Sequence, residues 1–198
     1  MKSRNILQYL NSSRMTLELM CSDKILIKTI EVCAEVCISS LKNGGKIIFC
    51  GNGGSAAESQ HLSAELVSKF NYDRPALASI SLTVDTSALT AIGNDYGYIH
   101  SFSRQIKALG KPEDVLIGLS TSGRSANVLE AFKVAKEMKI KTIGMLGIDG
   151  KDIGAISDFQ INIPSNKTPN IQEGHGVVGH LLCSLIEDDF FAKEYDNR

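Results

Sequence analysis

The sequence of 198 residues predicts an α/β fold, in which a parallel sheet has helices on both faces and further helices precede its first strand. Five short apolar segments bounded by turn residues are typical of strands, and helical periodicity fills most of the intervals between them. Strands that alternate with helices favour a parallel sheet buried on both faces. A glycine-rich loop joins the first strand to the next helix, which is where ligands bind in this fold class.

Residues 1–43 precede the first strand and are predicted to form two helices. The first helix has an apolar stripe formed by Ile6, Leu7, Leu10 and Leu17. The second is apolar on a broad face from Ile25 to Leu41, and the run Asn43-Gly44-Gly45 ends it. Such helices are not part of a minimal βαβ unit, so their apolar faces need a partner, which is either the sheet or another subunit.

The remaining elements follow in order along the chain. The predicted strands are 46–50, 76–82, 114–120, 141–147 and 159–164. The predicted helices are 55–70, 86–109 with a break at Gly93-Asn94-Asp95, 125–139, a small one within 148–158, and 171–193. The polar tail AKEYDNR is expected to fray. No linker or low-complexity segment interrupts the chain, which predicts one domain over 1–198.

Composition and charge argue against several classes of function. Lys and Arg number 21 against 22 Asp and Glu, with no dense basic run, so nucleic acid is not an expected partner. No segment reaches the ~18 apolar residues that a membrane span needs, and the N-terminus lacks the apolar core of a signal peptide. The five cysteines lack zinc-finger or CxxC spacing, which predicts reduced thiols and a cytoplasmic protein.

The first loop, Gly51-Asn52-Gly53-Gly54-Ser55, follows a strand and opens a helix. Glycines let the backbone approach a ligand closely, and exposed amides at a helix start favour phosphate. Ser55 and Glu58 have capping-box spacing, so helix capping alone would account for Ser55. The loop also matches the dinucleotide pattern G-x-G-x-x-A, but no acidic residue ends the second strand at the required spacing of about 20 positions.

A second loop of the same kind, Ser120-Thr121-Ser122-Gly123-Arg124-Ser125, follows the third strand. Its four hydroxyls, together with the amides at the helix start, suit a phosphate ester. One such loop is usually an ordinary turn with a helix cap, whereas two in matching positions favour a phosphorylated ligand. The sequence has no Walker-type GK[ST], so nucleotide hydrolysis is not indicated.

Two predicted helices carry residues that suit a metal ion or proton transfer. His61 and Glu65 are four residues apart and share one helix face. Gln172 and His180 are eight apart and point roughly the same way, whereas His175 lies about 140° from His180 around the helix. Two imidazoles with two oxygen donors suit zinc or another divalent ion. A solvated helix face would explain each pair equally well, and spacing alone does not show that the helices converge.

Three glycines also stand near the start of the last predicted helix, at Gly174, Gly176 and Gly179. Each lowers helix propensity by about 1 kcal/mol relative to Ala. Their clustering predicts either that another group packs closely against this helix or that the helix starts late or frays.

Together these motifs resemble those of the phosphoheptose isomerases, SIS-domain enzymes that interconvert sedoheptulose 7-phosphate and D-glycero-D-manno-heptose 7-phosphate. The resemblance covers nearly the whole chain and rests on FCGNGGSAAESQHLSAEL, LTAIGNDYGY, LSTSGRSANV and IQEGHGVVGHLLCSLIE. It implies the SIS fold, a flavodoxin-like, three-layer, doubly wound parallel sheet of five strands. It further implies a homotetramer with active sites between subunits, in which residues 1–43 pack at the interface.

The resemblance also implies roles for individual residues. The implied substrate-binding residues are Asn52, Gly53, Gly54, Ser55, Glu65, Asn94, Asp95, Ser120, Thr121, Ser122, Ser125 and Gln172. The implied ligands of one divalent metal ion per subunit, usually zinc, are His61, Glu65, Gln172 and His180. Glu65 and His180 are also implied as the catalytic acid/base pair.

The function implied is ketose–aldose isomerisation through an enediol, which supplies heptose for a bacterial lipopolysaccharide or capsule. Two alternatives stay open at this point. One is a non-catalytic SIS module that senses a sugar phosphate or binds another protein, which need not keep the metal and acid/base residues. The other is an SIS isomerase for an amino sugar or a pentose phosphate.

Overall fold

Five strands form one parallel sheet in the computed structural model, which describes residues 2–195, with side chains for 5–192. They are β1 (Ile47–Gly51), β2 (Ser79–Ser81), β3 (Val115–Ser120), β4 (Lys141–Leu146) and β5 (Phe159–Asn162). Their order across the sheet is β2-β1-β3-β4-β5. The chain therefore adds β2 on one side of β1 and all later strands on the other, so the connections reverse direction between β1 and β3.

Eight α-helices surround this sheet in the described part of the chain. They are α1 (Lys2–Ser22), α2 (Lys24–Lys42), α3 (Gly54–Val67), α4 (Thr86–Tyr96), α5 (Ser103–Leu109), α6 (Ala126–Glu137), α7 (Lys151–Ile156) and α8 (Thr168–Tyr195), with a 3₁₀ turn at Tyr98–His100. None of these helices is long and apolar enough to cross a membrane.

Two apolar cores fill the spaces between the sheet and its helices. Alternate residues of β1 point to opposite faces, so Ile47 and Phe49 enter one core and Ile48 enters the other. The first core is shared with α2, α3 and α8, and the second with α5, α6 and α7. The prediction of a three-layer, doubly wound parallel sheet with extra N-terminal helices is therefore confirmed.

Two details of the predicted elements are wrong. The expected break at Gly93-Asn94-Asp95 does not occur, because α4 continues to Tyr96 and ends at Gly97, whose φ of 89° is the left-handed conformation that favours glycine. The predicted bounds of the last helix, 171–193, are too short, because α8 runs from Thr168 to Tyr195, into the polar tail. The last three residues of the predicted tail, 196–198, lie outside the described residues.

The glycines of α8 mark close packing, and the helix is continuous through them. A Cβ on Gly174 would lie 2.7 Å from Ile163, and one on Gly179 would lie 2.5 Å from Leu62 of α3. Neither distance is compatible with a Cβ unless the buried side chain of Ile163 or Leu62 shifts. The absence of these two Cβ atoms therefore lets α8 lie directly against α3 and the end of β5.

Candidate functional site

The two small-residue loops lie side by side at the carboxyl edge of the sheet, because β1 and β3 are hydrogen-bonded neighbours. Asn52, directly after β1, exchanges two amide hydrogen bonds with Asn127 in the first turn of α6, at 2.8 and 2.9 Å. Tyr98 donates its hydroxyl to the same Asn52 Oδ1 at 3.0 Å. These contacts join the two loops at the point where the connections reverse direction, which is the expected ligand position in an open α/β sheet.

The glycine-rich loop turns sharply into α3. Gly53 has φ 56° and is the N-terminal cap residue, so the helix begins at Gly54 without a side-chain cap. Ser55 is thus inside the first turn and is 5% exposed. The capping-box explanation of Ser55 is wrong for this reason. Its hydroxyl makes no hydrogen bond to any described residue, so it is available to a ligand.

The serine-rich loop presents its hydroxyls at the end of β3. The Oγ atoms of Ser120 and Ser125 lie 2.9 Å apart, and Ser122 Oγ accepts from the amide of Arg124 at 3.2 Å. Gly123 has φ 64° and lies so close to the backbone of Gly150 that a Cβ would clash with it. The loop is therefore held against the segment that follows β4.

This loop borders a cleft of about 180 Å³. Thr121, Ser122 and Arg124 line one side of the cleft, and Lys151 and Asn166 line another part of it. The hydroxyls and the exposed guanidinium of Arg124 suit an anion, whereas Lys151 forms an ion pair with Asp149, which also lines the cleft.

The side chains of His61, Glu65 and His180 converge between α3 and α8. One ligand atom from each lies within 4.8 Å of the others, and no other three His, Cys, Asp or Glu side chains among the described residues come so close. The two Nε2 atoms are 2.8 Å apart, and His61 Nε2 is 3.5 Å from Glu65 Oε1. Both imidazoles are exposed and Glu65 is half-buried. The cluster is therefore accessible from solvent while it is fixed on two packed helices.

The donor set fits a divalent cation. Two Nε2 atoms that face each other at 2.8 Å cannot both carry a hydrogen, so at least one presents its lone pair. Glu65 adds a carboxylate, and imidazole with carboxylate is a usual ligand combination for zinc. The convergence of two helices that spacing alone could not establish is present in the structure.

Gln172 lies next to the first loop. It is two helical turns before His180 on α8, and its Nε2 is 2.5 Å from the position that a Cβ on Gly54 would occupy. The amide therefore fills the space that this glycine leaves open. His175, which we expected to point elsewhere, is 1% exposed and directs Nε2 toward the carbonyl of Leu146 at 3.3 Å.

Asn94 and Asp95 lie at the end of α4 and are exposed. Asn94 Nδ2 donates a hydrogen bond to Asp95 Oδ1 at 2.7 Å. Neither side chain hydrogen-bonds to the two loops among the described residues, and it is Tyr98, in the turn that follows α4, that contacts Asn52. Sequence reasoning did not single out Tyr98 or Asn127, because an ordinary tyrosine and asparagine carry no signal of a partner more than 40 residues away.

Comparison with known proteins gives one consistent result. A family model described as SIS domain matches residues 8–147. A phosphoheptose isomerase from Burkholderia pseudomallei is 46% identical over 98% of this chain and 100% of its own length. One from Clostridium acetobutylicum is 52% identical over 86% of this chain and 87% of its own length.

Solved structures agree with these relatives. The structure of a phosphoheptose isomerase from Neisseria gonorrhoeae superposes with a TM-score of 0.89 at 42% identity, and covers 95% of this chain and 100% of that one. A second, from Francisella tularensis, has a TM-score of 0.91 at 34% identity over 95% of this chain and 99% of that one.

Proposed function

Since this chain belongs to the phosphoheptose isomerase family of SIS-domain enzymes, we propose that it converts sedoheptulose 7-phosphate to D-glycero-D-manno-heptose 7-phosphate. Membership of the family shows that the chain is a sugar-phosphate isomerase. The identity of the sugar is what we propose. The observation that carries the proposal is the convergence of His61, Glu65 and His180, the first two of which lie on the helix that the glycine-rich loop opens. The phosphate group of such a substrate would bind at the loops, and its carbonyl group would lie at the cluster of His61, Glu65 and His180.

In this proposal the substrate's phosphate binds to the serine-rich loop. Ser120, Thr121, Ser122 and Ser125 supply hydroxyl donors, and the N-terminus of α6 adds backbone amides and a favourable dipole. The phosphate does not react, so its binding energy fixes the position of the remote carbons that do. Asn52, Gly53, Gly54, Ser55, Asn94, Asp95 and Gln172 are the proposed contacts to the sugar hydroxyls.

The reaction moves one hydrogen between two carbons. A base takes a proton from C1 of the ketose, the C2 oxygen gains a proton, and a 1,2-enediol forms. The C1 hydroxyl then loses its proton as C2 gains one, which leaves an aldehyde at C1 and a hydroxyl at C2. We assign Glu65 as the base at carbon and His180 as the group that exchanges protons with the sugar oxygens or the adjacent carbon.

The same residues would hold a divalent metal ion, and we propose zinc with His61, Glu65, Gln172 and His180 as ligands, one ion per subunit. Such an ion would polarise the carbonyl and stabilise negative charge on the sugar oxygens. Coordination to the ion would lower the basicity of Glu65 and His180. Both side chains would therefore have to loosen from the ion in order to exchange protons with the sugar.

A homotetramer with active sites between subunits accounts for the surface of α1. Its apolar residues Ile6, Leu7 and Leu10 are 61%, 61% and 58% exposed in the single chain. A contiguous exposed apolar stripe on a helix is typical of an interface with another protein surface. We therefore propose that residues 1–43 pack against other copies of the chain.

The proposed product supplies nucleotide-activated heptose for a bacterial surface polysaccharide, such as lipopolysaccharide or capsule, and the proposed location is the cytoplasm. The test is incubation of the purified protein with sedoheptulose 7-phosphate, with and without a chelator, followed by NMR of the products. We expect an aldose that forms in the presence of zinc and disappears with the chelator. No aldose under any metal condition would contradict the proposal.

A further inference from the structure

We propose that Arg74 and Glu187, a fully buried ion pair, are positioning residues that set the approach of α3 to α8 and, through Phe70, the orientation of His180. The inference rests on the proposed function insofar as His180 acts in the reaction. The pair lies outside every loop that the proposed function uses, and we call it, with the amides of Phe70 and Asn71, the Arg74 clamp.

Arg74 binds the end of α3. Its guanidinium donates to the carbonyl oxygens of Glu65 at 2.9 Å, Leu66 at 2.7 Å and Ser68 at 3.2 Å. Glu65 and Leu66 belong to the last turn of α3 and Ser68 is its C-terminal cap residue, so no further helical amide satisfies these carbonyls. Glu65 is itself in the metal-type cluster, so Arg74 holds the backbone of a proposed catalytic residue directly.

Glu187 connects that guanidinium to α8. Its Oε1 accepts from Arg74 Nε at 2.8 Å and from the amide of Phe70 at 3.0 Å, and its Oε2 accepts from the amide of Asn71 at 2.6 Å. Both charged side chains are 0% exposed. Burial raises the pKa of the Glu187 carboxyl, but the two amides and Arg74 lower it further, so the net pKa lies below its ordinary value. The carboxylate therefore stays charged and holds three donors, the guanidinium of Arg74 and the amides of Phe70 and Asn71, in a fixed arrangement.

Phe70 connects Glu187 to His180. Its amide is held by Glu187, and its ring stacks on the imidazole of His180 with centroids 5.5 Å apart and planes at 21°. Glu187 is seven residues after His180, two turns along the same face of α8. The His180 imidazole is exposed, and the rings that contact it are Phe70, stacked on its face, and His61, at its edge, so Phe70 restrains the plane of the imidazole. A rotation of that ring would move Nε2 away from His61 and Glu65.

A buried ion pair is a weak source of stability, because the free energy of removing both charges from water offsets much of their attraction. The presence of a buried ion pair at this position is better explained by geometry. A guanidinium that binds a carboxylate fixes distances and angles that apolar packing does not. The chain offers an internal comparison. Asp114 is a second buried carboxylate, 1% exposed, that accepts from two backbone amides and from Lys46 Nζ. It lies directly before β3, at the opposite edge of the sheet from the site.

This comparison gives a matched pair of variants, Glu187→Gln and Asp114→Asn. Each replaces a buried carboxylate that has two amides and one cation as donors with a neutral amide, which has one acceptor oxygen. We expect both to lower the melting temperature. Only Glu187→Gln should weaken zinc binding, by about tenfold or more in calorimetric titration of the metal-free protein, as for other groups that orient metal ligands. It should also lower kcat with KM within about threefold.

A second pair of variants leaves both charges in place. Phe70→Leu removes the stacked ring, and Phe159→Leu shortens a partly buried aromatic residue at β5. NMR of the four histidine Hε1 signals reports the ring of His180 without metal or substrate. We expect Phe70→Leu and Glu187→Gln to shift the His180 signal and weaken zinc binding, while Phe159→Leu and Asp114→Asn leave both unchanged.

The inference is overturned if Glu187→Gln and Asp114→Asn affect zinc affinity equally, or if Phe70→Leu leaves both the His180 signal and zinc affinity at their original values. If Glu187→Gln does not fold, the Phe70→Leu result decides. If the unmodified protein does not convert sedoheptulose 7-phosphate, the proposed function fails, but the histidine signals still test the clamp. If it binds no zinc, the same signals decide alone.

Discussion

The Nε2 atoms of His61 and His180 lie 2.8 Å apart, although 119 residues separate the two histidines in the chain. Glu65 lies on the same side of α3 and brings a carboxylate oxygen to the cluster. These three side chains meet because α8 lies directly against α3 where Gly179 faces Leu62. The close approach of two helix backbones is thus the structural basis of the proposed site.

Glu65→Gln should abolish turnover and keep substrate affinity within about tenfold. The amide has nearly the shape of the carboxylate but cannot accept a proton from carbon at neutral pH. Single-turnover kinetics with sedoheptulose 7-phosphate and a separate binding titration distinguish the two effects. Retained turnover would remove Glu65 from the assigned role.

Zinc should stabilise the folded protein, and a chelator should reverse the effect. A ligand at about a hundred times its Kd stabilises the native state by about 2.7 kcal/mol, or about 5–10 °C in a domain of this size. His61→Gln should lose this shift in a thermal melt, whereas His100→Gln, outside the cluster, should keep it. A shift of equal size in both variants would place the metal elsewhere.

Gly179→Ala and Gly176→Ala should have opposite effects on stability. Both gain about 1 kcal/mol of helix propensity. A Cβ on Gly176 would be 3.6 Å from Glu58 Oε1, an ordinary contact, whereas one on Gly179 would be 2.5 Å from Leu62. Overpacking of this kind lowers the free energy of unfolding by about 1–3 kcal/mol. Urea unfolding measures the difference, and equal stability of the two variants would contradict the close contact between α3 and α8.

Stability should fall as the pH drops from about 6.5 to about 4 because of His175. Burial lowers the pKa of this imidazole to about 4, while a hydrogen bond to Leu146 opposes the shift. Between the two pKa values the unfolded chain binds the proton and the folded chain does not, so the folded state loses about 3 kcal/mol across this window. His175→Leu should flatten that part of the stability profile relative to His100→Gln. An unchanged slope would mean that other groups cause the loss.

One of the five thiols should react rapidly with a thiol reagent in the native protein. Cys21 is exposed, and Cys33, Cys37, Cys50 and Cys183 are buried. Burial raises the pKa of Cys33, Cys50 and Cys183 to about 12, and that of Cys37 also rises, so these thiols are neither accessible nor ionised. Cys21→Ser should remove the fast phase of the reaction, and a second fast thiol in that variant would contradict the buried positions.

Much of the fold follows from local patterns. The short apolar strands and the helical stripes are set by backbone geometry and burial, so β1, β3 and β4 lie within a residue of their predicted bounds. The end of α4 was misplaced because two glycines were available, and polar neighbours favoured Gly93. The chain turns at Gly97 instead, where φ is 89°.

The contacts that complete the site could not be predicted from local sequence patterns. Asn52 pairs with Asn127 across 75 positions, and Arg74 pairs with Glu187 across 113. Each of these residues is unremarkable in its own segment, since a polar loop and the polar end of a long helix are expected to contain such side chains. Only the folded arrangement of the layers brings them together.

The two loops at the ligand edge begin helices on opposite faces of the sheet, since α3 packs in one core and α6 in the other. The reciprocal amide pair of Asn52 and Asn127 thus bridges two separately packed halves of the molecule. A shift of either helical layer relative to the sheet would therefore strain these two hydrogen bonds. A change in the packing of either face of the sheet can therefore alter the geometry of the loops at which we propose that the substrate binds.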